Sequence, residues 1–270
     1  MAMSALFAEG DFRVGRVINQ SISVLSRRFV TLFTIAAAAY LPTFLIGRWM
    51  FNFLSTSTRV PGKAEQIAYG VFLSLVFILF SLLGQAMIVH AAFQDIHKRP
   101  VSLGASVRVG LRRFRHLFGI AILFAALIWL SFALFIELTS YVWPSLLLLT
   151  PIPIAIIVTV YFVTTPACVV EERGPFGSMG RSAQLTKRHR WRIFGLELLL
   201  MGLLLITGIL IGLLNWALSA VGGPLLAIIS GVLWNIVWVA YYAVMVAVAY
   251  HDLRVAKEGI DIEQVASVFD

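Results

Sequence analysis

The stretch that decides the fold occurs three times along the chain, each time just before a long apolar run. Residues 18–33 read INQSISVLSRRFVTLF, residues 103–118 read LGASVRVGLRRFRHLF, and residues 179–194 read MGRSAQLTKRHRWRIF. The three copies align without a gap and share a serine, a basic pair and a final phenylalanine. Self-similarity at regular spacing is the sequence signature of a repeat architecture. The chain is therefore predicted to contain three copies of one structural unit.

The composition places these units in a membrane. The chain is 60% hydrophobic and only 13% charged, whereas a soluble domain is about a quarter charged. A helix needs about 20 apolar residues to cross the hydrocarbon core of a bilayer. Six stretches are long enough, at about residues 29–54, 67–93, 117–138, 143–168, 193–217 and 224–250. The sequence therefore predicts an all-α polytopic membrane protein with six transmembrane helices.

Each predicted unit consists of a short elbow helix followed by a hairpin of two transmembrane helices. The first elbow carries its apolar side chains on one helical face: Val14, Ile18, Ile22, Leu25 and Phe29. The second elbow repeats that spacing: Leu103, Val107, Leu111 and Phe114. A helix with an apolar stripe opposite basic residues lies in the membrane interface. The elbows are therefore predicted to lie flat in the inner interface.

A single membrane domain accounts for residues 1–270 in this interpretation. The repeat units cover about residues 14–98, 99–175 and 176–258, and a C-terminal tail covers 259–270. The three units are predicted to have pseudo-threefold character about the membrane normal.

Basic residues are distributed unequally between the two sides of the predicted spans. Of the 21 lysines and arginines, only Arg48, Arg59 and Lys63 lie on one side, and the other 18 lie on the opposite side. Because lysine and arginine concentrate on the cytoplasmic side, both termini are predicted to be cytoplasmic. The net charge of +8 thus belongs to one membrane face, and no nucleic-acid-binding motif accompanies it.

An acidic residue marks the end of each unit, and a basic pair marks each elbow. The acids are Asp95, Glu171 and Asp252. The candidate contacts for an anionic ligand or a lipid headgroup are Arg27, Arg28, Arg112, Arg113 and Arg188. Two interpretations are open. The charges brace the elbows against the helix ends, or the arginines form a threefold ring that gathers anionic headgroups or an anionic solute.

Glu197 is a position where the repeat is broken. It lies three residues past Phe194, and the equivalent residues in the other units are Ala36 and Ala121. A carboxylate one turn inside a span faces protein or water rather than lipid. It is therefore a candidate intramembrane ionisable site for a proton or cation, or else the partner of an arginine at the membrane edge. We predict that Glu197 faces the bundle axis and pairs with Arg28 or Arg113.

Two features concern the backbone of the spans. Pro151 and Pro153 predict a kinked or broken fourth span, because proline removes a backbone hydrogen bond. Such a break either lines a transport site or is tolerated where neighbouring helices satisfy the backbone.

Gly208 and Gly212 form a pair of small residues that predicts close helix packing.

Signatures of catalysis are missing from the sequence. It contains no glycine-rich nucleotide-binding motif, no HExxH and no GxSxG. The five histidines lack metal-ligand spacing, and the single cysteine, Cys168, excludes a cysteine-based metal cluster. The chain is therefore predicted to be a non-enzyme that uses no metal or cofactor.

The third elbow and the C-terminal region resemble a bacterial membrane family. The residues that carry the resemblance are Pro166, Glu171–Glu172, Gly174–Phe176, Arg181–Ser182, Leu185–Lys187, Arg190–Phe194, Tyr250, Asp252–Arg254, Lys257–Gly259 and Asp261. The family is the membrane domain found fused to glycerophosphodiester phosphodiesterases, together with related stand-alone inner-membrane proteins. The resemblance implies a polytopic protein of the bacterial plasma membrane. It implies no phosphodiesterase activity, which belongs to a separate soluble barrel in the fused members.

These observations leave two functions open. The first is a non-enzymatic membrane protein that binds or moves a lipid, an amphiphile or an anionic solute, with anionic headgroups at the cytoplasmic face as its partners. The second is a scaffold that assembles with other membrane proteins and transports nothing. An axial cavity that reaches Glu197 or the elbow arginines favours the first function, and a solidly packed centre with a broad apolar flank favours the second.

Overall fold

The computed structural model describes residues 12–56, 62–96, 100–141 and 151–258, and helices account for nearly all of these ranges. The helices are α1 (Val14–Arg27), α2 (Phe29–Thr56), α3 (Lys63–Ile96), α4 (Leu103–Arg112), α5 (Phe114–Tyr141), α6 (Pro151–Val160), α7 (Thr164–Val170), α8 (Pro175–Thr186), α9 (Arg190–Gly222) and α10 (Pro224–Glu258).

Six segments of these ranges are long and apolar enough to cross a membrane. They are Phe29–Phe53, Lys63–Ile96, Phe114–Glu137, Pro151–Val170, Arg190–Ala220 and Pro224–Glu258. The prediction of an all-α polytopic membrane protein with six transmembrane helices is confirmed. Each of the short helices α1, α4 and α8 precedes two spans, as the predicted units require. The end of the bundle that carries these three elbow helices is called the elbow end below.

The serine shared by the three sequence copies lies on the side of each elbow that packs against the bundle. Ser21, Ser106 and Ser182 are all fully buried. The Oγ atoms of Ser21 and Ser106 donate to carbonyl oxygens four residues earlier in the chain, at 2.6 and 3.2 Å. A serine fits here because it is small and its hydroxyl finds an acceptor within the elbow itself. The shared serine is thus explained by close packing of the elbows.

The predicted apolar stripe of the second elbow faces away from the bundle. Leu103, Leu111 and Phe114 are exposed, whereas Ser106 and Gly110 are buried. A Cβ atom at Gly110 would lie 2.8 Å from Cγ of Met87, so α4 contacts α3 through a face of small residues. The stripe of the first elbow is divided, because Ile18 and Leu25 of α1 pack on the core while Ile22 of α1 and Phe29 at the start of α2 are exposed.

The second half of α10 forms the centre of the bundle. It contacts α1, α2 and α3, and its residues from Ala243 to Tyr250 are all buried. Small alanines and β-branched valines predominate there, which lets the surrounding helices approach closely. At this level the described part of the bundle is solidly packed.

The other half of the α9–α10 hairpin is a broad apolar flank. Exposed leucines and isoleucines follow one another along α9 from Leu198 to Leu214. The close helix packing predicted at Gly208 and Gly212 is wrong for the described chain, because no atom lies within 4 Å of a Cβ built at either glycine. The reason is that this part of α9 lies on the outside of the bundle.

The fourth span is broken, as predicted, but the break lies after Pro151 and Pro153 in the chain. From Pro151, where the described residues of this span begin, to Val160 the chain is helical. The break separates α6 from α7 at residues 161–163. Pro166 explains it, because a proline deprives the carbonyl four residues earlier, that of Phe162, of its helical donor.

Candidate functional site

The first elbow is held to its own unit by a shared ion pair. Nη2 of Arg27 and Nε of Arg28 lie 3.0 and 2.9 Å from the two carboxylate oxygens of Asp95, at the end of α3. The side chain of Asp95 is 8% exposed, whereas both arginines are about half exposed. Both arginines are therefore held by one buried carboxylate, and the three side chains together carry a net charge of +1.

The second elbow follows the same plan with a neighbouring acid. Arg113 forms an ion pair with Glu172 and donates to its backbone carbonyl at 3.4 Å. This hydrogen bond from Arg113 lowers the pKa of the exposed Glu172 carboxyl. Arg112 is exposed and lies within electrostatic range of Glu172, but it forms no ion pair with the described residues.

A network of charges ties the third elbow to the ends of α7 and α10. Arg181 of α8 binds both Glu171 and Glu258. Glu171 also accepts a hydrogen bond from Oη of Tyr250 at 2.7 Å, and Glu258 is also bound by Arg254. Burial opposes ionisation of Glu171, but the hydrogen bonds from Arg181 and Tyr250 prevail and lower its pKa.

Three basic side chains beside this network form no ion pair with the described residues. Lys187 and Arg188 follow α8, and Lys257 comes from the end of α10 to donate to the carbonyl of Gln184. All three side chains are exposed and lie within electrostatic range of one another. Glu258, the described acid within electrostatic range of Lys257, is already bound to two arginines. We call Lys187, Arg188 and Lys257 the basic cluster.

The five candidate arginines thus do not form one equivalent ring. Arg27, Arg28 and Arg113 take part in ion pairs, in agreement with the bracing interpretation, while Arg112 and Arg188 form none within the described ranges. The sequence singled out Arg188, but the adjacent Lys187 and the distant Lys257 were not included with it. That Lys257 lies near Arg188 depends on how α10 meets α8, which no local pattern reveals.

The third unit also differs in its acid. Asp252 is buried, and its Oδ2 atom has no hydrogen-bond partner among the described residues. Its Oδ1 atom lies 3.7 Å from Nδ1 of the adjacent His251. No elbow arginine in the described ranges forms an ion pair with Asp252, so the bracing seen in the first two units is not repeated here.

The predicted pairing of Glu197 with Arg28 or Arg113 is wrong. Oε2 of Glu197 accepts a hydrogen bond from Oγ1 of Thr159 in α6 at 2.7 Å, and both arginines are bound to other acids. Oε1 is buried and has no hydrogen-bond partner among the described residues. Glu197 meets Thr159 because the end of α6, directly before the break in the fourth span, packs against α9.

Hydroxyl groups satisfy the backbone at the break between α6 and α7. The carbonyl of Val160 accepts hydrogen bonds from Ser182 at 3.0 Å and from Thr186 at 3.2 Å. The N–H of Val163 donates to Oγ of Ser182 at 3.2 Å. The third elbow therefore supplies the groups that the interrupted helix loses, and the break needs no ligand to be stable.

These features define an integral membrane protein with two polar regions, the basic cluster and the surroundings of Glu197. Within the described ranges no group of three or more histidine, cysteine, aspartate or glutamate side chains could hold a metal ion. Comparisons with protein-family models, curated proteins and solved structures find no match for the chain.

Proposed function

We propose that this protein is a non-catalytic protein of the bacterial inner membrane that binds the phosphate of an anionic lipid headgroup at the basic cluster. Both termini and the elbow end face the cytoplasm in this proposal. The observation that carries it is the convergence of Lys187, Arg188 and Lys257, three exposed cations for which the described chain supplies no free acid.

Exposed aromatic side chains at the elbow end support a position at the membrane interface. Trp191, three residues after Arg188, is 86% exposed, and Phe176, at the opposite end of α8, is 76% exposed. Tryptophan favours the headgroup level of a bilayer. Each basic residue near an anionic membrane surface contributes about 1 kcal/mol, so three together correspond to about a hundredfold in affinity.

The solid packing around α10 and the broad apolar flank of α9 favour the alternative function, a scaffold that assembles with other membrane proteins and transports nothing. The proposal is therefore confined to binding of the headgroup at the surface and includes no movement of lipid through the bundle. The resemblance of the third elbow to membrane domains associated with glycerophosphodiester phosphodiesterases suits either role, because neither requires a catalytic residue in this chain.

A lipid titration of the purified protein in a neutral detergent tests the proposal. Phosphatidylglycerol should raise the melting temperature of the wild-type protein more than phosphatidylcholine does. The triple variant Lys187→Gln, Arg188→Gln, Lys257→Gln should lose most of that difference. A matched variant, Arg13→Gln, Arg48→Gln, Lys63→Gln, removes the same charge from exposed positions elsewhere and should retain it.

An equal response of the two triple variants would contradict specific headgroup binding. Equal melting temperatures in both lipids for the wild type would favour the scaffold instead. Reporter fusions after Lys63 and after Asp270 test the orientation, and they should report opposite sides of the membrane. Two reporters on the same side would contradict the topology.

A further inference from the structure

The carboxyl group of Glu197 is enclosed but only half satisfied. Oε2 lies 2.7 Å from the hydroxyl of Thr159, and the buried Oε1 has no hydrogen-bond partner in the described chain. A carboxylate has two strong acceptor oxygens, and leaving a buried charge unpaired is far more costly than leaving a neutral carbonyl oxygen unpaired. The geometry thus suits a group that carries no charge.

The charges that could compensate an ionised Glu197 are few. Helix α9 contacts α10, α6 and α1. On α10, Tyr242 lies within electrostatic range of Glu197. Helix α6 contains no ionisable residue, and α9 itself contains no other between Ile193 and Gly222.

The remaining charges on neighbouring helices lie towards the elbow end and have contacts of their own. Arg192, at the start of α9, donates to the carbonyl of Phe12 at 2.8 Å. On α1, Arg27 is bound to Asp95, and the other charged residue of the helix is Arg16. Neither Arg16 nor any other described cation forms an ion pair with Glu197.

A metal cation fits this place less well than a proton does. Among the described residues, the one hydrogen-bond partner of the carboxyl group is the hydroxyl of Thr159. The carbonyl of Val160, the residue after Thr159, already accepts from two hydroxyl groups. Hard cations need about six oxygen ligands, whereas a proton needs one acceptor, and the 2.7 Å between Oε2 and Oγ1 suits a hydrogen bond in either direction.

We propose that Glu197 is an exchangeable proton-binding site inside the membrane. In the protonated state the O–H of Glu197 donates to Oγ1 of Thr159, and Oε1 is a neutral carbonyl oxygen. The proton thereby joins α9 to the last turn of α6, directly before the break. Loss of the proton leaves a carboxylate that keeps the hydrogen bond from Thr159 but whose buried Oε1 atom then carries charge without a donor, so the charged state is disfavoured at this place.

Infrared difference spectroscopy of the protein in lipid nanodiscs tests the proposal. At about pH 7, where an ordinary glutamate is ionised, the wild-type protein should show the carbonyl stretch of a protonated carboxylic acid, and the band should shift in D₂O. Glu197→Gln should remove the band. Glu172→Gln changes an exposed, ion-paired carboxylate and should leave it unchanged. Thr159→Val should shift the band, because the acid loses its hydrogen-bond acceptor.

The stability of Glu197→Gln provides a second criterion. Because the amide imitates the neutral acid in shape and charge, this variant should unfold at the same temperature as the wild type at about pH 7. A variant that fails to fold would show that the carboxylate is required and would overturn the proposal. A wild-type spectrum without the band would overturn it too. Stabilisation by sodium over choline that Glu197→Gln abolishes would assign a cation to the site instead.

Discussion

The first and third elbows share one sequence pattern but differ in what neutralises their basic residues. In the first, Asp95 lies between Arg27 and Arg28 and binds both. In the third, Asp252 binds no elbow arginine in the described ranges, and Arg188 lies beside Lys187 and Lys257 instead. The comparison teaches that one pattern leads to two arrangements of charge. Where the acid binds the basic pair, the charges join the elbow to its unit, and where it does not, we propose that they are available to a ligand.

The largest difference between the two elbows is expected at their shared serine. Ser182 donates to Val160 of another helix and accepts from the N–H of Val163, whereas Ser21 donates only within its own helix. Ser182→Ala leaves a buried N–H unsatisfied and should lower the free energy of unfolding by about 1–3 kcal/mol. Ser21→Ala should cost less than about 1 kcal/mol.

Denaturant unfolding of the two serine variants in the same detergent measures this difference. The exposed Ser23→Ala is the matched control for the loss of a hydroxyl, and its free energy of unfolding should be unchanged. Equal losses at Ser182 and Ser21 would show that the third elbow is not specially coupled to the break in the fourth span.

The next largest difference in stability is expected between substitutions of the two acids, Asp95 and Asp252. Asp95→Asn removes the partner of two arginines and should destabilise by about 1–2 kcal/mol, between the values for exposed and buried pairs because the arginines are half exposed. Asp252→Asn breaks no arginine pair within the described chain and should cost much less. Thermal unfolding of the two variants side by side provides the measurement. A greater loss at Asp252 would mean that the third acid has a partner as strong as the first.

Substitutions of single arginines should distinguish a residue that binds lipid from one that stabilises the fold. Arg188→Gln should weaken the binding of phosphatidylglycerol about fivefold, the equivalent of about 1 kcal/mol, with little change in melting temperature. Arg28→Gln should lower the melting temperature and leave the lipid affinity unchanged. A titration of both variants with the same lipid provides the measurement. A reversed result would move the binding site to the first elbow.

The smallest expected effect is a dependence on acidic pH. The hydrogen bonds to Glu171 outweigh the effect of its burial and lower its pKa in the folded state. Stability from such a group is complete above the unfolded pKa of about 4.3 and is lost as the pH falls through the lower folded value. Melting curves on acidification should therefore fall more steeply for the wild type than for Glu171→Gln. Parallel curves would show that Arg181 and Tyr250 do not favour the ionised form.

The spans and the elbows could be predicted from the sequence because they depend on local patterns. Apolar runs of sufficient length located the six helices, and the repeated basic pairs located the elbows. The break in the fourth span was also encoded locally, by Pro166, which lies closer to it than Pro151 and Pro153, the residues from which it was predicted. The described chain stays helical from Pro151 to Val160, so the first two prolines do not mark the break.

The partners of the charged residues could not be predicted because they come from distant parts of the chain. Glu197 meets Thr159 only because α6 ends beside α9, 38 residues away in sequence. Lys257 reaches the third elbow from the far end of α10, 73 residues from Gln184. The sequence marked Glu197 and Arg188 as unusual, but which groups surround them follows from the packing of whole helices.

Native mass spectrometry of the lipids that the protein retains is the most direct test of whether the basic cluster binds an anionic headgroup. Three proteins are extracted from membranes of the same composition. They are the wild type, the triple glutamine variant of Lys187, Arg188 and Lys257, and the matched triple glutamine variant of Arg13, Arg48 and Lys63. We expect anionic phospholipid to remain bound to the wild type and to the matched variant. The variant of the basic cluster should lose it. Equal retention by all three proteins, or no preference for anionic lipid in the wild type, would contradict the proposal.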